Sequence, residues 1–522
     1  MSINCIRTLI EDAAKTHADK TALILNQESI TYGELFTKVN QVAYYLKELD
    51  LPKDSRIGIY SNKGIEQVIA ILSILSTDYI LVPLTKLLKS EQVEYIIKDC
   101  DIKCIITDKI KLQSIEEINF DGHIISYETA TKEIPSFEEI YKYYNKPYLC
   151  DINGHSNAVI TYSFGVSGTP KGIVISHRNL INSARVVSQY LKIEESDIIS
   201  GLLIFNLDYG LNQIFTSLYK KATLALHRFI LPEDFLNHVI NDKVTIIPLM
   251  PITITQIFDE GMQRLPNAEL FAGVKTITSS GGKITKKMVQ DCKKLFTNAA
   301  FYSMHGLTEA FRSTYLDPAQ IEIRPDSIGK AIPDVELYVI NEDGKECKPR
   351  EVGELIHRGG YIYRGFWNAP EQNAQRFKSI QILKDVINIE GQLNDEIVVA
   401  TGDYVYKDEE GYLYFVSRHD DMIKTRGFRV SPFEIESVVL KNIPQITQVA
   451  VFSIANEQIE EEIVMVYSAQ SEIPQKEILF ELKKHLASYM LPSKIIYKKS
   501  LPLVQSDKNQ INKNELKKDL LK

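Results

Sequence analysis

The sequence predicts an α/β protein. It reads as a large N-terminal α/β body of several subdomains with a β-rich module, followed by a small mobile α+β C-terminal domain. Three observations carry this reading. Strand-like and helix-like apolar runs alternate through the first part of the chain. From about Val335 the strands become short and bounded by turns. The final stretch has its own strands and helices, and its length of about 100 residues suffices for an independent domain. A chain of 522 residues is also too long for one ordinary core.

The elements follow in order. "MSINCIRTLIEDAAKTHADK" has the apolar spacing of an amphipathic helix. "TALILN" precedes the helical "TYGELFTKVNQVAYYLKEL", and "RIGIYS" precedes "GIEQVIAILSIL". "ILVPL" precedes "SEQVEYIIKDC", and "CIIT" follows. After Val335 come "VELYVINEDGKE", "GELIHRGG" and "GYLYFVSR", read as short strands. The C-terminal part reads as a helix ("FEIESVVLKN"), two strands ("QVAVFSIA" and "EIVMVYSA") and a second helix ("KEILFELKKHLASYM"). The boundary is placed near Asp420, giving domains 1–419 and 420–522.

Composition narrows the function classes. Hydrophobic content of 44% and charged content of 25% are ordinary for a soluble globular protein. A net charge of −8 disfavours a nucleic-acid partner, though a local basic site for an anionic substrate remains compatible with it. The start lacks the basic and apolar regions of a signal peptide. The most apolar run, "VIAILSILSTDYILVPL", is interrupted at Ser76-Thr77-Asp78, so a buried helix and a buried strand are expected rather than a membrane span. The six cysteines form no paired C-x-x-C clusters, and Cys100 and Cys104 lack partners for a zinc site. Buried thiols in a reducing cytoplasm are the expectation.

The stretch "TYSFGVSGTPKGIVISH" is the most unusual local wording. Thr161 ends an apolar strand-like run. Ser176 is a helix N-cap candidate for "HRNLINSARVVSQYL". The segment between them therefore reads as a strand–loop–helix connection. Glycines let backbone N–H groups face an anion, hydroxyls add donors, and Lys171 adds charge. The physical reading is a phosphate cradle. It is not a Walker A loop, because Gly168 is followed by Thr169-Pro170-Lys171-Gly172.

The stretch resembles the phosphate-binding signature of the adenylate-forming superfamily, which includes acyl-CoA synthetases, non-ribosomal peptide synthetase adenylation domains and luciferases. Ser163, Gly165, Ser167, Gly168, Pro170, Lys171 and Gly172 match it, while Phe164 and Val166 depart. Three further motifs come in the family's order. "HGLTEA" is similar to Y-G-x-T-E, with His305 where an aromatic stacks on adenine. "TGDY" is similar to T-G-D. "SRHDDMIKTRGFRVSPFEIE" is similar to the R-x-D hinge and the segment after it.

The resemblance implies roles. ATP and Mg²⁺ are the implied cofactors. The loop residues Ser163, Gly165, Ser167, Gly168, Thr169 and Lys171 would hold phosphates, Thr308 would face the α-phosphate, and Glu309 would be the metal ligand. Asp403 and Arg418 would contact the ribose, and Asp420 would be the hinge. The family's C-terminal catalytic lysine falls at Lys508 when counted forward from Leu501-Pro502. Counted back from "INK", Ile511 to Lys513, the position falls at Gln510. A cation is needed there, which favours Lys508.

The acid pocket is read from "FNLDYGLNQIF", which resembles the F-D-x-S-x-x-x-x-F segment of amino-acid-activating domains. Aligned on Phe215, the aspartate falls at Asp208, which would pair with a substrate α-ammonium. As an ordinary residue before Tyr-Gly it would be a turn aspartate. Tyr209, Asn212, Met304 and Arg312 would line the pocket, with Gly281 and Gly282 on its wall. The implied function is ATP-dependent activation of a small amino acid, proline being one candidate, as an acyl adenylate. Transfer to the phosphopantetheine thiol of a separate carrier protein would follow, since no D-S-L carrier motif occurs before Lys522. "DYGLNQ", "RPDSIGKAIP" and "RGFRVSP" also resemble AMP-forming acyl-CoA synthetases, with coenzyme A as acceptor. A non-catalytic nucleotide-binding protein is the alternative of a different class.

Overall fold

A computed structural model describes residues 3–86, 88, 90–128, 134–144, 152–164, 170–260, 266–282, 284–389, 395–418, 423–425, 428–456, 460–486, 490–504 and 507–520. The chain divides into two compact units. The first holds Met1–Leu337, His357–Ile380 and Leu393–Val399, and the second holds Tyr338–Ile356, Gln381–Gln392 and Ala400–Lys522.

In the first unit the alternating runs become two sheets covered by helices. One sheet runs His123–Ser126, Ile102–Thr107, Arg56–Tyr60, Ile80–Leu84, Asn157–Phe164, Pro170–Ser176. Its neighbours are parallel except the last two strands, which pair antiparallel. The other sheet, within this unit, runs Ser327–Ala331, Thr314–Leu316, Ala300–His305, Thr276–Ser279, Ile246–Leu249, Ile198–Gly201, Thr223–Leu226, Thr21–Leu25, Glu28–Thr31. Its central five strands pair in parallel. Parallel strands buried on both faces need continuous apolar runs. Ile80–Leu84 is such a strand, buried at every position.

The helices form where the pattern places them. Tyr32–Glu48 starts at Thr31, whose hydroxyl accepts from Glu34 N while Glu34 reaches back to Thr31 N, a capping box. Ile65–Ile74 buries Val68, Ile69, Ile71, Leu72 and Ile74. Burial of side chains of this size stabilises by about 2 kcal/mol each relative to exposure, which fixes the run as an interior helix. Among the described residues no helix is long and apolar enough to cross a membrane.

In the second unit, residues 403–407 of the strand Ile397–Lys407 pair antiparallel with Leu413–Arg418, setting Asp403 opposite Arg418. A separate sheet runs Phe428–Val430, Ile423–Thr425, Glu460–Ala469, Ile446–Asn456, and Lys494–Tyr497 adds to Glu460–Ala469 in parallel. Helices Pro432–Asn442 and Gln475–Leu482 cover it through Ile435, Val439, Ile478 and Leu482, all fully buried. The helices and strands expected after Arg418 are thus present. The expected boundary at Asp420 lies outside the described residues.

Of the cysteines, Cys5, Cys100, Cys104 and Cys292 are buried free thiols and Cys347 is half-buried. Burial pushes the Cys100 thiol up to about 12. Cys150 lies outside the described residues.

Candidate active site

The connection expected as strand–loop–helix is a hairpin instead. Asn157–Phe164 turns back into Pro170–Ser176, with Ser163 opposite Lys171 and Phe164 opposite Pro170. The helix His177–Tyr190 starts only after this second strand, and Ser176 caps it by accepting from Asn179 N at 3.2 Å. The extra strand has partners on both edges. Val174 N donates to Gly365 O and Arg364 N to Val174 O, while Trp367 N donates to Gly172 O. Ile173, Val174 and Ile175 are buried, so this short apolar run is held as a strand by pairing that the local sequence does not show. Lys171 is half-buried on this strand. Gly165, Ser167, Gly168 and Thr169 lie outside the described residues, as does the side chain of Ser163.

"HGLTEA" follows the parallel strand Ala300–His305 at its C-terminal end, where α/β sheets place their ligands. His305 is half-buried and paired with Thr314, Thr308 is exposed, and Glu309 is 4% exposed. Glu309 O accepts from Tyr363 N at 2.9 Å, and Arg376 Nε stands 3.8 Å from its carboxylate. Among the described residues no group of three or more His, Cys, Asp or Glu could hold a metal ion. One nearly buried carboxylate fits a Mg²⁺ whose other ligands are phosphate oxygens and waters, which is how this hard cation is usually held.

In the second unit, Asp403 is buried and pairs with Arg418 Nε at 3.1 Å. The segment preceding it is locked. Gly402 takes φ 68°, which favours glycine, and its N–H donates to Glu354 at 2.9 Å. Thr401 Oγ1 donates to Leu355 O and accepts from Asp403 N. A carboxylate so placed can accept two hydroxyl hydrogen bonds.

Returning to the first unit, Asp208 opens the helix Asp208–Lys220, where a negative side chain is favoured by the exposed N–H groups. Tight packing fixes this start, since a Cβ on Gly210 would lie 1.8 Å from Ile204 O. Asp208 is half-buried and its Oδ1 accepts from Tyr209 N at 2.7 Å. Desolvation raises its pKa, and Arg312 and the Tyr209 N–H oppose the rise. Tyr209 Oη lies 2.7 Å from Thr278 Oγ1, tying the helix to the strand Thr276–Ser279. Arg312 is 4% exposed, lies 4.3 Å over the Tyr209 ring and donates through Nη1 to Ser280 Oγ at 3.2 Å. Met304 accepts from Tyr190 Oη at 3.1 Å.

The structure therefore gathers Asp208, Tyr209 and Arg312. Gly281 and Gly282, next in chain to Ser280, are exposed, and a Cβ on either would come within 3.2 Å of Met250 or Pro251. Asn212 is buried with its amide spent inside the protein. Its Nδ2 donates to Ser183 and its Oδ1 accepts from Thr216.

One residue with a positioning role is absent from the motif reading. Lys63 is buried and its Nζ donates to the carbonyls of Gly201, Leu202 and Leu203, each at 2.6 Å. It pins the loop that leads into Asp208. Its sequence context, "SNKGIEQ", carries no signal beyond a lone lysine between a strand and a helix.

At the C-terminus, Lys508 and Gln510 lie on the strand Asp507–Ile511, which pairs with Leu503–Val504. Their side chains lie outside the described residues. Lys513 begins the helix Lys513–Leu520 and is committed to Glu436 at 2.8 Å.

Comparison with known proteins assigns the family. The AMP-binding enzyme family matches residues 10–367. Tyrocidine synthase 1 of Brevibacillus parabrevis is 26% identical over 520 residues, covering 96% of this chain and 44% of that protein. The chain thus spans less than half the length of this relative. The o-succinylbenzoate coenzyme A synthetase of Bacillus subtilis, in complex with ATP and magnesium ion, superposes with a TM-score of 0.82 at 22% identity, over 98% of this chain and 99% of that one. ATP-bound MatB from Rhodopseudomonas palustris gives a TM-score of 0.84 at 21% identity, over 98% of each chain. These two likenesses establish the fold. The chain belongs to the AMP-binding enzyme family. That family comprises adenylate-forming ligases that work with ATP and Mg²⁺.

Proposed function

We propose that the chain uses ATP to activate a carboxylic acid as an acyl adenylate and passes the acyl group to a thiol. The observation that carries this is Glu309, a nearly buried carboxylate at the C-terminal end of a parallel strand, in a chain of the AMP-binding enzyme family. A free carboxylate is a poor acyl donor. One of its oxygens bonds to the α-phosphorus of ATP, the bond from that phosphorus to the bridging oxygen breaks, and pyrophosphate leaves. The thiol sulfur then bonds to the acyl carbon, the acyl–oxygen bond breaks, AMP leaves and the thiol proton passes to solvent.

The first step brings an anion to a polyanion, so its barrier is largely electrostatic. Magnesium, when bound, neutralises phosphate charge, and Glu309 would hold it. Lys171 and the segment Ser163 to Thr169 would bind phosphates through N–H and hydroxyl donors, and Thr308 would face the α-phosphate. His305 would stack on adenine, and Asp403 with Arg418 would fix the ribose. Lys508 would bridge the carboxylate and the nucleotide. A pivot at Asp420 would let residues 420–522 serve the two half-reactions in two orientations.

The finer reading is that the acid is a small amino acid whose α-ammonium pairs with Asp208, and that the acceptor is a separate carrier protein. The half-buried Asp208 carboxylate supports the first part, since such a group is stabilised by a cationic partner. The similarity to tyrocidine synthase 1 supports the second. A second reading, transfer to coenzyme A, is favoured by the likeness to a coenzyme A synthetase. ATP–pyrophosphate exchange across amino acids, fatty acids and aryl acids tests the activation. Loading of a phosphopantetheinylated carrier against coenzyme A tests the acceptor.

A further inference from the structure

Among the described residues, the buried cation Arg312 has no ion-pair partner. Its Nη1 donates to the neutral hydroxyl of Ser280, and its Nε is buried with no hydrogen-bond partner among those residues. Two aromatic rings flank the guanidinium carbon, Tyr209 at 4.3 Å and Phe311 at 5.1 Å. Asp208 acts on it electrostatically, but no ion pair joins the two carboxylate and guanidinium groups. A guanidinium presents five donors in a planar fork suited to a carboxylate. Removing such a group from water and giving it only neutral hydroxyls, those of Ser280 and Tyr190, is unfavourable unless something else supplies the anion.

The position of this group says where that anion would come from. Arg312 follows "HGLTEA" by two residues and lies over Tyr209, the neighbour of Asp208. The substrate's reacting carboxylate must meet the nucleotide, so it is not free to neutralise Arg312. We propose that the acid taken by this pocket carries a second anionic group, a second carboxylate in the simplest case, which Arg312 and Ser280 bind. This rests on the reading of the chain as an acid-adenylating enzyme. Two sources share this chemistry. An acidic amino acid would place its ammonium at Asp208 and its side-chain carboxylate at Arg312. A dicarboxylic acid without an amino group would use Arg312 alone. Proline has no second anion and would leave the guanidinium as it stands.

Stacking alone is the competing role, in which Arg312 packs against Tyr209 and ignores substrate charge. Exchange assays separate the two. Wild-type protein is given glutamate, glutamine, aspartate, asparagine, glutarate, succinate, butyrate and proline in turn. An acid bearing a second carboxylate should be preferred over its neutral counterpart by about 100-fold in kcat/KM, because a site built for a polar group rejects the analogue lacking it. Preference for glutamate or aspartate identifies the ammonium-bearing source, and preference for glutarate or succinate the other. In Arg312→Gln the preference should fall to about one. The loss should fall on the KM of the anionic substrate more than on kcat. Ser280→Ala should weaken the same preference partway, and it serves if Arg312→Gln does not fold. Wild-type preference for neutral acids would overturn the proposal, as would a ranking that Arg312→Gln or Ser280→Ala leaves unchanged. Exchange with none of a wider acid panel, in folded protein that binds ATP, would overturn the adenylation reading and this proposal with it.

Discussion

Lys63 Nζ donates to the carbonyl oxygen of Leu203 across 2.6 Å, 140 residues along the chain. With the Gly201 and Leu202 carbonyls it completes three bonds from one ammonium, and the ring of Phe205 lies 4.8 Å from the same nitrogen. The loop that leads into Asp208 is thus held by a residue in the connection that follows Arg56–Tyr60, a strand of the other sheet.

Replacement of Lys63 by alanine should therefore act twice. The Leu202 and Leu203 carbonyls lose this donor and Gly201 O keeps only the bond from His227 N at 3.4 Å, and leaving such groups unpaired costs roughly 3 kcal/mol in total. A lowered Tm measures that. The acid's KM should also rise more than that of ATP, because the loop positions Asp208. Equal changes in both constants would mean that Lys63 is only a structural strut.

Glu309→Gln keeps the size of the side chain and removes its charge. Exchange activity should drop about 100-fold or more, a typical loss when a charge-stabilising group is removed from a reacting site. The circular dichroism spectrum should be unchanged. Raised magnesium should partly restore the rate, and wild-type magnesium dependence in this variant would remove the metal from Glu309.

The two lysines near the C-terminus should separate cleanly. Lys508→Ala should abolish adenylate formation and spare thioester formation from a supplied adenylate. Lys513→Ala breaks the pair with Glu436, an acid that also accepts from Val451 N at 2.7 Å. It should lower stability by about 1 kcal/mol or less and leave exchange unchanged. The reverse pattern would move the catalytic position away from Lys508.

Two buried histidines predict acid sensitivity. Burial depresses His177 to about 4 and His357 to about 3. His177 Nδ1 accepts from Ile6 N, and His357 Nδ1 lies 3.0 Å from Ser313 Oγ. Their unfolded values are near 6.5. Below that pH the unfolded chain takes up protons that the folded chain does not, so their contribution to stability falls as pH drops from about 6.5 toward 4. Urea unfolding at pH 7 and pH 5 measures this. His177→Gln should lessen the difference between the two.

Much of this was legible in the sequence. The alternation of "RIGIYS", "ILVPL" and "CIIT" with helical runs gave parallel strands, and Ser176 as a cap was readable because its hydroxyl bonds a neighbour only three residues on. Pro170–Ser176 was not readable as a strand. Its glycine and proline mark a loop locally, while its pairing comes from Asn157–Phe164 and from residues 364–367. The burial of Lys63 and Arg312 escaped for the same reason, since each depends on partners far along the chain. The engagement of Asn212 with Ser183 escaped likewise.

Acid-dependent adenylate formation is read by ATP–pyrophosphate exchange on wild-type protein beside Asp208→Asn. Wild-type exchange should require magnesium and an amino acid. In Asp208→Asn this should fall by two to four orders of magnitude, as expected from a loss of roughly 3–5 kcal/mol when one partner is removed from a pair that the bound substrate seals from water. The same acid without its amino group should lose little. Exchange in wild-type protein with fatty or aryl acids and no amino acid would remove the ammonium-binding role from Asp208, and no exchange with any acid would rule out adenylate formation by this chain.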